Sequence, residues 1–597
     1  MRELLRTFQA WRNPEAPIRS VAIEAAAPHP AEEQPQFNLL VRHLLHRFFN
    51  NEMLSVGGET LPLMMTIAGA VAIPTLIAAI FTFPAYHAFA PKPPIPPFWN
   101  RTSEHLFYVI YSLVAMGIIT VLEGEMLFPN PLDVFILSTL PIPHRRFVLA
   151  RVFATLFFLV LFLFGVNSLG ICAYPVATEF HAGRLFLAQL TAVTAAGAFA
   201  TSTFLAIQGV LICLISGRMY RVISTALQGV SIAVLMTILL SLRTAYQLLP
   251  QLATPAGAPL HYFPPYWFLG IYERILRDPL AGPPFSHLAH IGWWATLASV
   301  MIAIATYPLA YVRRSRQAIE GTAPPYTEES SNRISKWLLH TTILRSPARR
   351  AIYYFIGQTI RTPRHRMYLA VYAGLGAALM VASTVGIRAD GGHLHILFST
   401  YGLQAQVPVV AFWTVSGLCS ALISPADPRG GWLFRVTDGP PTSVQLDTVR
   451  LWVTMRALLV TSVLIAGVYV ISPPALRQIH ALATEIVVGT GLCILLPDAM
   501  LLRLRAIPFT ETRIPLNTDL AFLFLRYIVV LPALVVSVVE WEPWISAAWS
   551  HLLLAVAAIA AVHIVLRDAR RRILAARVYI PAIAELNGTI EPLMLRE

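Results

Sequence analysis

Long apolar runs, separated by shorter polar segments, fill this chain from about residue 61 to residue 566. Each run is about 20 residues, the length a helix needs to cross the hydrocarbon core of a bilayer. Apolar and polar positions do not alternate within them, so they do not read as strands of a lipid-spanning barrel. The pattern predicts spans at 61–83, 104–124, 150–173, 185–214, 222–247 and 290–312. A second set follows at 367–387, 405–424, 451–471, 480–502, 519–540 and 543–566. The last two are separated only by VVEWEPWIS, so a re-entrant tip is an alternative to a full pair there.

The two sets of six share a layout. Ahead of the first, residues 37–56 place Leu40, Leu44, Phe48 and Phe49 on one helical face. Arg42, His46, Arg47 and Asn50 lie towards the other, the pattern of a helix lying in the membrane interface. Ahead of the second stands another basic, aromatic-bearing stretch, 348–366. Each set has a long loop between its second and third spans (125–149 and 425–450) and a basic turn between its fourth and fifth (216–221 and 502–519). Six is an even number, so the two sets have the same orientation, a parallel repeat about an axis along the membrane normal. The expected fold is therefore an all-α polytopic membrane protein of about 12 transmembrane helices, built as two parallel six-helix repeats with amphipathic lead-in helices. Its divisions are a tail (1–36), a first unit (37–312), a polar linker (313–347), a second unit (348–566) and a basic tail (567–597). One asymmetry stands out: a long outer loop, 248–289, occurs only in the first set. Within it YWFLGIYERILR (266–277) sets Trp267, Ile271, Ile275 and Leu276 against Glu273, Arg274 and Arg277, which predicts an amphipathic helix lying on the outer face.

Composition agrees with the membrane reading. Of 597 residues 56% are hydrophobic and 13% charged, against roughly 25% charged in soluble domains. The net charge of +13 does not point to nucleic acid, because the basic residues gather in the loops of one side. With the N-terminus in the cytoplasm, about 35 basic residues fall inside and about seven outside, the asymmetry that orients membrane proteins. Both termini are then cytoplasmic, and no cleavable leader is expected in the polar first 36 residues. Cys172, Cys213, Cys419 and Cys493 lie in or at the ends of four different apolar runs without a C-x-x-C, as small core residues.

Several chemistries are excluded by inspection. A nucleotide-binding P-loop needs a lysine after its glycines, and the only lysines are Lys92, in PKPP, and Lys336, in ISKWLL. No zinc-protease, nucleophile-elbow or dinucleotide motif occurs. The pairs His43/His46, His287/His290 and His393/His395 lack a second ligand pair at zinc-site spacing, so no metal, cofactor or catalytic residue is expected. Charge at membrane depth is costly and marks functional candidates. Three residues qualify: Glu485 and Asp498 near the two ends of the tenth span, and Arg526 in the eleventh. Glu485 reads best as solvated at its helix end, and Arg243 near the outer end of the fifth span can snorkel.

The most informative stretch is Val121–Arg151. It opens on Glu123 and Glu125, passes two proline-broken turns around an amphipathic piece, and closes on His144-Arg145-Arg146. Its segment L-x-x-L-P-I-P-x-x-R-x-x-x-A-R, from Leu137 to Arg151, is similar to the segment that the permease subunits of type-2 ABC exporters carry before their third span. The layout of lead-in helix, six spans, long second–third loop and amphipathic fifth–sixth outer segment resembles those permeases too. The resemblance implies a coupling helix that docks into an ATPase subunit. Its residues here are Asp133, Phe135, Leu137, Leu140, Pro141, Pro143, Arg145, Arg146 and Arg151. The counterpart loop keeps Trp432, Phe434, Arg435 and a basic end at Arg450 but loses the Leu-Pro core, as a degenerate second site.

Such exporters use two six-span units and two ATPases. Here both membrane units lie in one chain, so the resemblance implies a separate ATPase partner that binds the ATP, a cytoplasmic (inner) membrane location, and export of a hydrophobic or amphipathic substrate. Two other readings stay open. A secondary transporter with a 6+6 repeat fits the span count, although the second–third loop is longer than the short glycine-rich one of the major facilitator group. An integral-membrane enzyme or assembly scaffold would need convergent acids or ligands, and Glu123, Glu125 and Asp133 are the nearest approach.

Overall fold

The computed structural model describes residues 36–49, 60–86, 97–128, 144–178, 182–215, 217–280, 282–319, 346–390, 393–423, 442–471, 479–502, 504, 507–509 and 525–575. The first half comprises helices α1 (Gln36–Phe49), α2 (Thr60–Tyr86), α3 (Phe98–Leu122), α4 (His144–Thr178), α5 (Ala182–Leu214) and α6 (Gly217–Leu240). It continues with α7 (Leu242–Leu248), α8 (Pro264–Leu276) and α9 (Pro283–Ile319). The second half has α10 (Pro347–Thr359), α11 (Pro363–Thr384), strands β1 (Val385–Asp390) and β2 (His393–Phe398), then α12 (Thr400–Ile423), α13 (Ser443–Ile471) and α14 (Ile479–Met500). It ends with α15 (Leu525–Ser546, opening on a π-helical turn) and α16 (Trp549–Ala575). Proline at the first position of α8, α9, α10 and α11 supplies the φ a helix start needs and loses no hydrogen bond there.

The chain is a predominantly helical, multi-pass membrane protein. Among the described residues eleven helices, α3–α6, α9 and α11–α16, are long and apolar enough to cross a membrane. The expected first span corresponds to α2, within which Gly69–Pro84 is a shorter apolar stretch. The expected closing pair corresponds to two such helices, α15 and α16: VVEWEPWIS is helical through Ser546 and the chain turns at Ala547-Ala548. Helix α9 continues seven residues into the expected linker, and α16 runs through Ala575.

Two helices are the most enclosed. In each of α3 and α12 the apolar window is 72% buried, so each half of the chain is packed around one of these helices. Helix α3 contacts α5, α6 and α8; α12 contacts α11, α13, α14 and α15. The lead-in helix α1 packs on α4 through Leu40, Val41 and Leu44, and α10 packs on α13. The halves meet chiefly where α6 lies along α11. There Ala370, Gly374 and Ala378, one turn apart, are buried, and a methyl group on Gly374 would come within 2.7 Å of the Gly229 carbonyl. Small residues at this spacing allow two membrane helices to pack backbone to backbone.

One element is added to the expected fold and one expectation is corrected. Besides the helices, the described residues include a two-stranded hairpin, in which β1 and β2 pair antiparallel from Val385↔Phe398 to Asp390↔His393 and lie against α7 and the short helical turns before α8. And α8 does not lie on the surface. It packs against α9, α5 and α3, with Glu273 only 1% exposed. Its charge is not solvated but meets His105 of α3 at 2.7 Å. That imidazole stacks on Tyr272 (centroids 4.1 Å). Beside it Arg101 pairs with Asp278 at 2.8 Å, and Tyr174 donates to Glu104 at 2.9 Å. These polar contacts let a charged segment be buried, because each group finds a partner.

Candidate functional site: the roots of the two long loops

The central parts of both loops, and with them Asp133, Phe135, Leu137, Leu140, Pro141, Pro143, Trp432, Phe434 and Arg435, lie outside the described residues. The helices on either side are described, and they show how the loops are rooted.

After α3 ends, Glu123 opens one further helical turn, Gly124–Leu127. The turn sits close against α5: a side chain on Gly124 would meet the Gln208 amide at 2.0 Å. Half-buried Glu123 has its carboxyl pushed up to about 7 by burial. Phe128 is fully buried against the Tyr307 ring of α9 (centroids 5.2 Å). On the far side of the loop, Arg145 and Arg146 fall in the first turn of α4, and the Arg146 side chain is exposed. Arg151, one turn further, is not exposed for docking but is 5% accessible. Its guanidinium donates to the Phe128 carbonyl at 3.2 Å and bonds the Tyr307 hydroxyl. Tyr307 in turn donates to the Leu127 carbonyl at 2.7 Å. The two ends of the loop are thus bonded to each other and to α9. Arginine suits this junction because its planar, always-charged head can serve several acceptors at once.

The second root is built on an ion pair. Arg450 of α13 stands 2.9 Å from Asp498 of α14, and His563 of α16 contacts the other carboxylate oxygen at 2.5 Å. Asp498 is 3% exposed. Asp447, three residues before Arg450, meets Arg570 of α16 at 3.0 Å. Arg151 and Arg450 occupy the same place, each the eighth residue of the helix that follows a long loop.

Compared with protein-family models, curated proteins and solved structures, the chain matches none. The site therefore stands on its own geometry.

Two of the ionisable residues singled out in the sequence do not join either root. Glu485 is half-buried in α14, two-thirds of the helix away from Asp498. Arg526 lies over the rings of Phe412 and Tyr527 at 6.0 and 5.5 Å, beside a hydroxyl cluster in which Tyr527 contacts Ser416 at 2.6 Å and Tyr372 at 3.0 Å. The sequence reading missed Tyr307 and His563. His563 carried a usable signal, a titratable residue inside an apolar run. Tyr307 carried none, since a lone tyrosine is ordinary in such a helix.

Among the described residues no group of three His, Cys, Asp or Glu is arranged to hold a metal ion.

Proposed function

We propose that this chain is the transmembrane permease of an ABC-type exporter. In this reading two six-span units, twelve spans in parallel repeat, are fused in one polypeptide of the cytoplasmic membrane with both termini inside. The chain holds no cofactor. A separate ATPase subunit binds ATP, docks on the loops 125–149 and 425–450, and drives a hydrophobic or amphipathic substrate outwards.

The observation that carries the reading is the rooting of the first loop. A loop that only reverses the chain needs no buried tie between its ends. Here Arg151 and Tyr307 bind the ends together and to α9, so a push on the loop is passed to a membrane helix rather than absorbed in a soft segment. The matching position of Arg450 supports a second, differently built root. The packing of α1 on α4 and of α10 on α13 supports the repeat.

One observation favours a second reading. A buried carboxylate touched by both an arginine and a histidine, as at Asp498, is the kind of group a proton-coupled secondary transporter uses.

Arg145→Glu together with Arg146→Glu tests the first reading. The double variant is expected to insert in the membrane normally and to lose co-purification with the ATPase subunit that the wild type retains. Undiminished co-purification overturns the docking role. Transport that collapses with a proton uncoupler but survives ATP depletion overturns the exporter in favour of the second reading.

A further inference from the structure

On the face of the bundle that carries the β-hairpin, a cavity of about 440 Å³ opens between α5, α8 and α9. Three arginines line it: Arg184 in the first turn of α5, Arg274 near the end of α8, and Arg277 just beyond it. Its remaining wall includes Leu187, Ile275 and Trp293.

The neighbouring acids do not neutralise these cations. Glu273 is turned into the core onto His105, and both oxygens of Asp278 are engaged, one by Arg101 and one by the Leu280 amide. Among the described residues no carboxylate lies within ion-pair distance of Arg184, Arg274 or Arg277. Three like charges around one cavity repel each other, and a bound anion relieves that repulsion.

The backbone supports the same reading. Arg277 has φ 56° and ψ 39°, in the left-handed region that caps α8. Glycine adopts this conformation without the Cβ clash, so a charged side chain is held at a position where local geometry favours none. Arg274 is oriented as well, with Nη1 donating to His290 Nε2 at 3.1 Å. Trp293 is 49% and Trp294 69% exposed at the same level of α9, where aromatic side chains mark the membrane–water interface. A guanidinium cluster above an apolar wall at that depth matches a phosphate that carries an acyl chain.

We infer that the Arg184–Arg274–Arg277 cavity binds a phosphate-bearing anionic amphiphile, headgroup on the arginines and chain along Leu187, Ile275 and Trp293. The inference does not depend on the permease reading, since such a ligand is held by the cavity whether the chain transports it or is tuned by it.

The test uses the full chain in phosphatidylcholine nanodiscs, titrated with phosphatidylglycerol and followed by bound-lipid count in native mass spectrometry. The wild type is expected to take up the anionic lipid saturably. Arg184→Gln/Arg274→Gln/Arg277→Gly is expected to bind on the order of tenfold or more weakly, because several charge-assisted hydrogen bonds are lost. Arg388→Gln, a cation on the hairpin of the same face but outside the cavity, is expected to bind as the wild type does. Arg277→Gly alone keeps the backbone conformation, so weakened binding by that single variant separates charge loss from misfolding. Equal binding by the triple variant and the wild type overturns the site. Displacement by inorganic phosphate at the concentration where phosphatidylglycerol binds overturns the amphiphile, leaving a free-anion site instead.

Discussion

The Tyr307 hydroxyl donates to the Leu127 carbonyl at 2.7 Å, joining α9 to the chain immediately before the first long loop. Both groups are buried, so Tyr307→Phe leaves a carbonyl without its donor at a cost of about 1–3 kcal/mol. The same hydroxyl also holds Arg151, so the variant loosens both ends of the loop. The thermal midpoint is expected to fall, and protease cleavage between residues 129 and 143 is expected to speed up beyond what the global destabilisation accounts for. Cleavage that tracks the midpoint alone would mean that Tyr307 is ordinary core.

The second root invites a mutant cycle. Asp498→Ala leaves Arg450 and His563 facing a buried gap, and removing one partner of a buried pair costs about 3–5 kcal/mol. Arg450→Met should be similarly costly, since it takes the guanidinium from a carboxylate that is 3% exposed. Asp498→Leu/Arg450→Met removes both charges and should recover much of the loss, because residues in one ion-pair network do not add independently. Losses that sum in the double variant would show that the two residues stabilise the bundle separately.

These roots also mark how far the sequence could be read. The helical spans were legible because a bilayer demands about 20 apolar residues per crossing and nothing else in the chain makes that pattern. Arg151 and Arg450 were singled out as loop ends, but as docking residues. A basic residue beside a loop reads as surface until the acceptors appear, and those acceptors, Phe128, Tyr307 and Asp498, come from positions 23 to 156 residues away. Helix α8 reads as a surface element for a similar reason. Glu273 breaks the apolar face of the segment and reads as solvent-facing until His105, 168 residues earlier, supplies its partner. The hairpin has a local signal in the sequence: Gly391-Gly392 stands between the paired ends Asp390 and His393, the two-residue glycine signal of a tight hairpin.

The contact between the halves gives a third prediction. A side chain at Gly374 would press on the Gly229 carbonyl and on Ile232. Gly374→Leu is therefore expected to push α6 from α11 and lower the thermal midpoint, with a cost of about 1–3 kcal/mol as for other overpacked sites. Gly374→Ala should fall between it and the wild type. Gly357→Leu in α10, where nothing lies within 4 Å, serves as the control and should be tolerated. Equal midpoints for the Gly374 and Gly357 variants would show that the halves do not depend on this close approach.

Glu123 makes stability depend on pH in a defined direction. Burial raises its carboxyl from an ordinary 4.5 to about 7. Below 4.5 the group is protonated in the folded and unfolded chains alike and contributes no difference. Between 4.5 and about 7 the unfolded chain releases the proton while the folded one keeps it, so stability is lost as pH rises. Above 7 the folded carboxylate is charged and the penalty is constant. Glu123→Gln cannot ionise and escapes the penalty. The variant's thermal midpoint, compared with the wild type across pH 4.5 to 8, should gain steadily up to about pH 7 and then hold its advantage. A difference that stays flat across this window would place the Glu123 carboxyl in water, and the turn Gly124–Leu127 would then be a surface feature rather than part of the buried root of the loop.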